Sequence, residues 1–272
     1  MAAQHLAFIG GGNMAGAIFG GLVRGGWPKT DITVVEPWPE QRERIAVAWP
    51  ELRVIAMADA SLSAADVVVW AVKPQSFGEA ATASAGFVGR ALQLSVMAGI
   101  RSDALLRATG SERIVRAMPN TPALIGQGIA GLFARAAVSV TDRAIVEAVL
   151  APTGQMLWFE REEQLDAVTA LSASGPAYVF YFIEAMIDAA GQMGLTREQG
   201  RALAQTTFAG ATALAMQSDE PPSLLRERVS SKGGTTHAAI ASLEADGVKA
   251  AFVKALRAAQ VRAKELGDEF GR

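Results

Sequence analysis

A short apolar run, Leu6-Ala7-Phe8-Ile9, ends directly in Gly10-Gly11-Gly12-Asn13-Met14-Ala15. A G-x-G-x-x-A pattern that closes a strand and opens a helix admits few structures. Gly10 permits a tight turn, Gly12 lets the backbone approach a pyrophosphate, and Ala15 keeps the helix close to the sheet. The free amides at the helix start then face the phosphates. A glycine-rich turn without a ligand is the bland alternative. The position at the head of a βαβ unit favours a dinucleotide site at Gly10, Gly11, Gly12, Asn13 and Met14.

The rest of the chain divides into two characters. From residue 5 to about 160, short β-branched runs alternate with helical stretches, and His5–Gly10, Ile32–Glu36, Asp66–Val72, Leu92–Met97, Arg113–Met118, Ile129–Phe133 and Met156–Phe159 read as strands. The run Val67-Val68-Val69-Trp70-Ala71-Val72 is apolar without alternation, as a strand buried on both faces must be. Strands separated by helices imply a parallel, doubly wound sheet. From about Glu162 the strand signal stops. Leu165, Val168, Leu171, Tyr178, Phe182, Met186 and Ala189 then recur at helical steps, and further helices are expected at Thr196–Gln217, Leu224–Val229, Thr236–Ala245 and Gly247–Leu266. The expectation is an α/β chain: a Rossmann-type doubly wound domain over residues 1–162, followed by an all-α domain over 163–272.

Composition removes whole classes of chemistry. The chain has no cysteine and only two histidines, His5 and His237, so thiolate nucleophiles, zinc–thiolate sites and iron–sulfur clusters are out and no metal site is expected. Lys+Arg 25 balance Asp+Glu 27 without blocks of like charge, which argues against nucleic acid as a partner. No apolar run reaches the roughly 18 residues of a membrane span, so no membrane partner is expected. No basic region precedes the first apolar stretch, so no signal peptide is expected and the cytoplasm is the expected location.

Other strand ends carry candidate ligand contacts, because ligands of open α/β sheets lie beyond the carboxyl ends of the strands. Glu36 follows the second strand, where a carboxylate accepts the hydroxyls of an adenosine ribose and repels a 2′-phosphate. That favours NADH over NADPH, although Arg42 and Arg44 nearby soften the choice. Ala71-Val72-Lys73-Pro74 leaves the buried strand; Lys73 either borders the cofactor or simply reaches to solvent. Ala98-Gly99 repeats the device one crossover later. In Met118-Pro119-Asn120-Thr121-Pro122, two prolines hold the pair Asn120 and Thr121 rigidly at a strand end, where neutral donors can orient a nicotinamide or a substrate; a plain proline-rich turn is the alternative.

In the helical half, Ser230-Ser231-Lys232-Gly233-Gly234-Thr235-Thr236 sets glycines and hydroxyls directly before a helix. Free amides at such a helix start bind a small carboxylate, with Ser231 and Thr236 as added donors; a plain Thr cap with a flexible lead-in is the alternative. His237 falls in the first helical turn, at an expected surface position. Ser172-Ala173-Ser174-Gly175-Pro176 interrupts an otherwise amphipathic helix, and Pro176 must either kink the helix or mark a restart. Its small side chains leave room for a ring to approach, or let two helices pack closely.

Taken together, the glycine turn, Ala71-Val72-Lys73-Pro74 and Met118-Pro119-Asn120-Thr121-Pro122 resemble the pyrroline-5-carboxylate reductase family. Ser172-Ala173-Ser174-Gly175-Pro176-Ala177-Tyr178 resembles that family's Ser-Gly-Ser-Gly-Pro-Ala-Tyr, and Ser230–Thr236 its Thr-Ser-Pro-Gly-Gly-Thr-Thr, with Ala173 and Lys232 as departures. The resemblance implies reduction of 1-pyrroline-5-carboxylate to proline with NADPH or NADH. It implies that Ser231, Gly233, Gly234 and Thr235 hold the substrate carboxylate and that Thr236 bonds the ring nitrogen; Asn120 and Ser174 remain candidate substrate contacts on their own local reading. It implies an intertwined homodimer; rings of five dimers, a decamer, occur in the family. A reductase of a related cyclic imine acid and a non-catalytic dinucleotide-binding regulator are the alternatives. Hydride transfer to the carbon of an imine whose nitrogen is basic needs positioning and neutral donors more than a strong acid, which suits a chain without cysteine.

Overall fold

In a computed structural model the described residues are 4–270. Eight strands form one sheet: β1 (Leu6–Ile9), β2 (Ile32–Val35), β3 (Arg53–Ile55), β4 (Val67–Trp70), β5 (Leu92–Ser95), β6 (Ile114–Met118), β7 (Gly128–Ala134) and β8 (Gly154–Phe159). Their order is β3-β2-β1-β4-β5-β6-β7-β8, with Leu6 opposite Ile32 on one side and Val67 on the other. The strand order turns back at β1, so β1 and β4 flank the switch point.

Helices cover both faces. α1 (Asn13–Arg24), α2 (Pro39–Ala48) and, later in the chain, α5 (Val140–Leu150) pack on Leu6, Phe8, Val34, Val67, Val69 and Leu94. α3 (Phe77–Val88) and α4 (Ser102–Thr109) pack on Ala7, Ile9, Val68 and Trp70. Neighbouring residues of β1 and β4 therefore feed opposite cores, and Val67–Trp70 is wholly buried, as its unbroken apolar run requires.

Two features depart from the expected sheet. β3 carries no sequence signal: it is three residues long, pairs only with β2, and one of its residues is a charged arginine. β7 runs antiparallel to β6, because the link of residues 119–127 is too short for a crossover between parallel strands.

The helical half begins with α6 (Gln164–Val168), which passes into a π-turn at Thr169–Ala173, and then α7 (Gly175–Gln192). The amide of Ser174 donates to Thr169 O at 2.9 Å, one residue further back than in an α-helix. Pro176, without an amide hydrogen, stands in the first turn of α7, directly after the π-turn. The proline thus marks a restart, and the wider π-turn absorbs the change of phase. Gln164–Gln192 is nevertheless one helical run, long and apolar enough by length and composition to cross a membrane. The run escaped the sequence reading because Glu184 and Asp188 interrupt it.

By contacts the chain forms two compact units, residues 1–174 with 259–272, and residues 175–258. The division drawn at 162 follows the end of the strand pattern, whereas this one follows packing. The first unit includes α6, the π-turn and the end of the last helix, α11 (Val248–Phe270), after α8 (Arg197–Met216), α9 (Pro222–Arg228) and α10 (Thr235–Ala245). In the second unit α7 and α8 cross at Ala190 and Gly200, so closely that a Cβ on Gly200 would lie 2.7 Å from Ala190 Cβ. Phe252 packs edge-on against Tyr178 and Phe182 at 5.8 and 5.7 Å. Yet among residues 175–258 only Ala190, Gly200 and Ala204 are buried, while Phe180, Tyr181, Leu203, Leu214 and Met216 are exposed.

The start of α5 offers a test of electrostatics. Ser139 and Asp142 form a reciprocal cap, and the Asp142 carboxylate also receives the Arg113 guanidinium. Burial raises the Asp142 pKa, but the hydrogen bonds from Arg113 and Ser139 outweigh it and hold the carboxyl below its usual range. Because the folded-state pKa is depressed, its stabilising share is present above the unfolded value near 4 and is lost as pH falls through the lower folded value. Asp142→Asn should therefore be less stable than wild type at pH 7. The gap should close in strong acid, as urea unfolding at a series of pH values will measure.

Candidate active site

The glycine turn has the tight geometry its sequence requires. Gly10 has φ near +100°, and a Cβ there would lie 2.8 Å from the Ala71 carbonyl oxygen at the exit of β4. A Cβ on Gly11 would strike Ile45 of α2 at 2.5 Å, whereas one on Gly12 would meet nothing within 4 Å. Gly12 therefore faces open space. It also caps α1, which has no side-chain cap, so the first amides of the helix lack helical partners. Open space above a glycine and an uncapped helix start fit a pyrophosphate.

Glu36 stands beside this turn, buried, with its carboxylate already engaged. One oxygen accepts the Gly11 amide at 2.9 Å and the other the Trp38 amide at 3.0 Å. Glu36 thus fixes the turn, and each of its oxygens has a second lone pair beyond the one that takes an amide. Arg42 donates to the carbonyls of Glu36 and Pro37, and Gln41 Nε2 to Gly11 O at 2.7 Å. Arg42 is thus a brace of the loop, and Gln41 is a support the sequence reading missed. Ala71, Val72 and Pro74 are partly exposed at the end of β4, with Lys73 pointing to solvent before the short turn Pro74–Ser76.

Beyond β5 lies the turn at Ala98 and Gly99, with Gly99 at φ near +72° against Leu266 of α11. Behind that turn sits an ionic cluster with no sequence signature. Arg116 of β6, 3% exposed, pairs with Glu162 at 2.7 Å. Glu162 also accepts the amide and hydroxyl of Ser102 at 2.7 and 2.6 Å, and Arg101 pairs with Asp166 at 2.9 Å. Burial pushes the Arg116 guanidinium below its usual pKa, and Glu162 opposes the shift. Its Nε is buried without a partner among the described residues. The cluster joins the turn after β5 to the start of the helical half.

Asn120, expected to face a ligand, is bonded on both sides. Its Oδ1 accepts the Ile129 amide at 3.0 Å, and its Nδ2 donates to Ser172 Oγ at 3.2 Å. The structure thus joins Asn120 to Ser172 of the π-turn, and the Ser174 amide closes that turn.

In the helical unit, Gly233 has φ near +80°, and Gly234 caps α10 without a side-chain cap. The Gly234 amide bonds Ser231 O at 2.9 Å, and a Cβ on Gly234 would lie 2.9 Å from Ser231 Oγ. These contacts curl Ser231–Gly234 into a compact turn ahead of the open amides of Thr235, Thr236 and His237. Ser231, Lys232, Gly233, Thr235 and His237 are exposed, and Thr236 is half-buried. The helix begins one residue earlier than its expected start, so Thr235 and Thr236 both belong to its first turn.

The ionic cluster is testable by itself. Arg116→Met leaves Glu162 without its countercharge and should cost about 3–5 kcal/mol. The double variant with Glu162→Gln should cost less than the sum of its parts. Equilibrium urea unfolding of the four proteins decides it, and additivity would dismiss the pair as an energetic unit.

Comparisons with known proteins agree with this geometry. A family model described as pyrroline-5-carboxylate reductase dimerisation matches residues 162–266, and one described as NADP oxidoreductase coenzyme F420-dependent matches residues 5–99. The chain is similar to the pyrroline-5-carboxylate reductase of Pseudomonas aeruginosa, 42% identical with 100% of both chains covered. It is similar also to that of Haemophilus influenzae, 40% identical with 97% and 98% covered. Among solved structures, the pyrroline-5-carboxylate reductase of Coxiella burnetii superposes with a TM-score of 0.86 at 34% identity, covering 97% and 98% of the two chains. A pyrroline carboxylate reductase from Plasmodium falciparum with NADP bound has the same TM-score of 0.86 at 30% identity, covering 98% and 99%. On its sequence over its full length and on its fold, this chain belongs to the pyrroline-5-carboxylate reductase family.

Proposed function

We propose that the chain reduces 1-pyrroline-5-carboxylate to L-proline with NADH or NADPH, the last step of proline formation. The observation that carries this reading beyond family membership is the uncapped start of α10, where Ser231–Gly234 leads into open amides. A cyclic imine acid needs its carboxylate held and its nitrogen bonded, and this segment supplies both kinds of donor.

The cofactor, when bound, supplies a hydride to the imine carbon. Gly10, Gly11, Gly12, Asn13 and Met14 hold its pyrophosphate through backbone amides and the positive end of α1. Glu36 accepts a ribose hydroxyl, while Ala71–Pro74, Ala98, Gly99 and Asn120 border the groove at the strand ends. Ser231, Gly233, Gly234 and Thr235 bind the substrate carboxylate, with Lys232 adding positive charge nearby. Thr236 Oγ1 hydrogen-bonds the ring nitrogen and keeps a proton at that atom. An imine nitrogen is basic enough that a neutral hydroxyl suffices, so catalysis rests on orientation and fixed dipoles. His237, exposed on α10, has no part in this scheme.

Residues 163–272 act as the substrate-binding and dimerisation domain in this reading. The exposed Phe180, Tyr181, Leu203 and Met216 support it, because a helical unit with so little buried needs a second copy. Some members of the family assemble further, as five dimers. The cytoplasm is the proposed site of action.

Absorbance at 340 nm, followed with NADH or NADPH and pyrroline-5-carboxylate, tests the activity; no imine-dependent loss with either cofactor would sink it. Thr236→Ala should lower kcat/KM for the imine at least about tenfold, on the scale of one lost hydrogen bond in the transition state, and Thr236→Ser should restore most of it. Glu36→Ala should weaken NADH relative to NADPH, and an unchanged ratio would remove Glu36 from the ribose.

A further inference from the structure

The hydrogen-bond directions at the end of β6 can be assigned without ambiguity. The Ile129 amide can only donate, so the Asn120 atom facing it at 3.0 Å is Oδ1. Nδ2 is thereby turned to Ser172, whose Oγ lies 3.2 Å away. Nδ2 also can only donate, so Ser172 Oγ accepts. The proton of the Ser172 hydroxyl then points away from Asn120, and it has no acceptor among the described residues. The π-turn at Thr169–Ala173 holds this half-buried hydroxyl beside the strand end.

Strand order says which part of the dinucleotide reaches that point. Glu36, at the end of β2, marks the adenosine side, and the glycine turn lies at the switch point between β1 and β4. The other half of the molecule must extend over the ends of β4, β5 and β6, and β6 leads directly into Asn120. A neutral donor suits a neutral acceptor. The substrate carboxylate is better served by the amides and hydroxyls at the start of α10.

We propose that the Ser172 hydroxyl, aimed by Asn120, donates to the carboxamide oxygen of the nicotinamide and so fixes which ring face is presented. Asn120 is the positioning residue and Ser172 the contact. The proposal rests on the cofactor reading above.

Binding to the full-length protein tests it without turnover, using NADH, NADPH and ADP-ribose, which lacks the nicotinamide. Ser172→Ala should raise the Kd of the better-bound reduced cofactor about fivefold, the factor expected of one neutral hydrogen bond. It should leave the Kd of ADP-ribose unchanged, with the imine KM within about twofold. Asn120→Asp should behave alike: its two oxygens accept from Ile129 and from Ser172, which turns the serine proton inward. An unchanged cofactor Kd in Ser172→Ala overturns the proposal. So does equal weakening of ADP-ribose, which would mark a scaffold effect, or a rise confined to the imine KM, which would assign the hydroxyl to the substrate. If wild type binds NADH or NADPH but does not reduce the imine, the functional reading fails while the binding result still decides Ser172.

Discussion

The buried contact between Arg116 and Glu162 is the joint on which the first compact unit depends. A guanidinium inside a sheet is costly unless its charge is met, and Glu162 is the residue at which the strand pattern gives way to helices. Glu162 also takes the amide and hydroxyl of Ser102, so one carboxylate fixes strand β6, the start of α4 and the lead-in to α6. Four residues along from Arg116, Asn120 makes the second attachment, to Ser172. β6 thus holds the helical lead-in at both ends, and the π-turn between them is kept in a conformation that a free helix would relax.

The parts of this fold legible in the sequence are those set by local chemistry. An unbroken run such as Val67–Trp70 has one solution, a strand covered on both faces. The glycine turn was legible for the same reason, since positive φ at Gly10 and the approach of Ala71 leave no room for a side chain. What stayed hidden depends on partners far along the chain. β3 exists because β2 offers it an edge. Nothing in Arg116 or Glu162 announces that the two will meet, and the Asn120 motif could be seen without its bonds to Ile129 and Ser172. Glu36 was found by position, but its service to the Gly11 and Trp38 amides needed the fold.

The site residues share a chemical style. In the proposed site, backbone amides, hydroxyls and one carboxamide are the groups offered to ligands, and the charged Glu36 and Arg42 beside them brace loops. Such donors keep one protonation state across the ordinary pH range, so their geometry does not drift with pH. The paired ionic groups, Arg116 and Glu162 above all, lie behind the turn at Ala98 and Gly99.

The scarcity of buried residues between Gly175 and Ala258 has a further consequence. A segment that covers only Ala190, Gly200 and Ala204 by itself gains little from folding alone. If most of its apolar surface is covered by a second chain, association and folding become one equilibrium governed by mass action. The midpoint of thermal unfolding then rises with protein concentration. Dilution loosens the segment that carries Thr236 before it disturbs the sheet that carries Gly10, so a dilute sample would keep its affinity for a dinucleotide after losing its grip on a small acid.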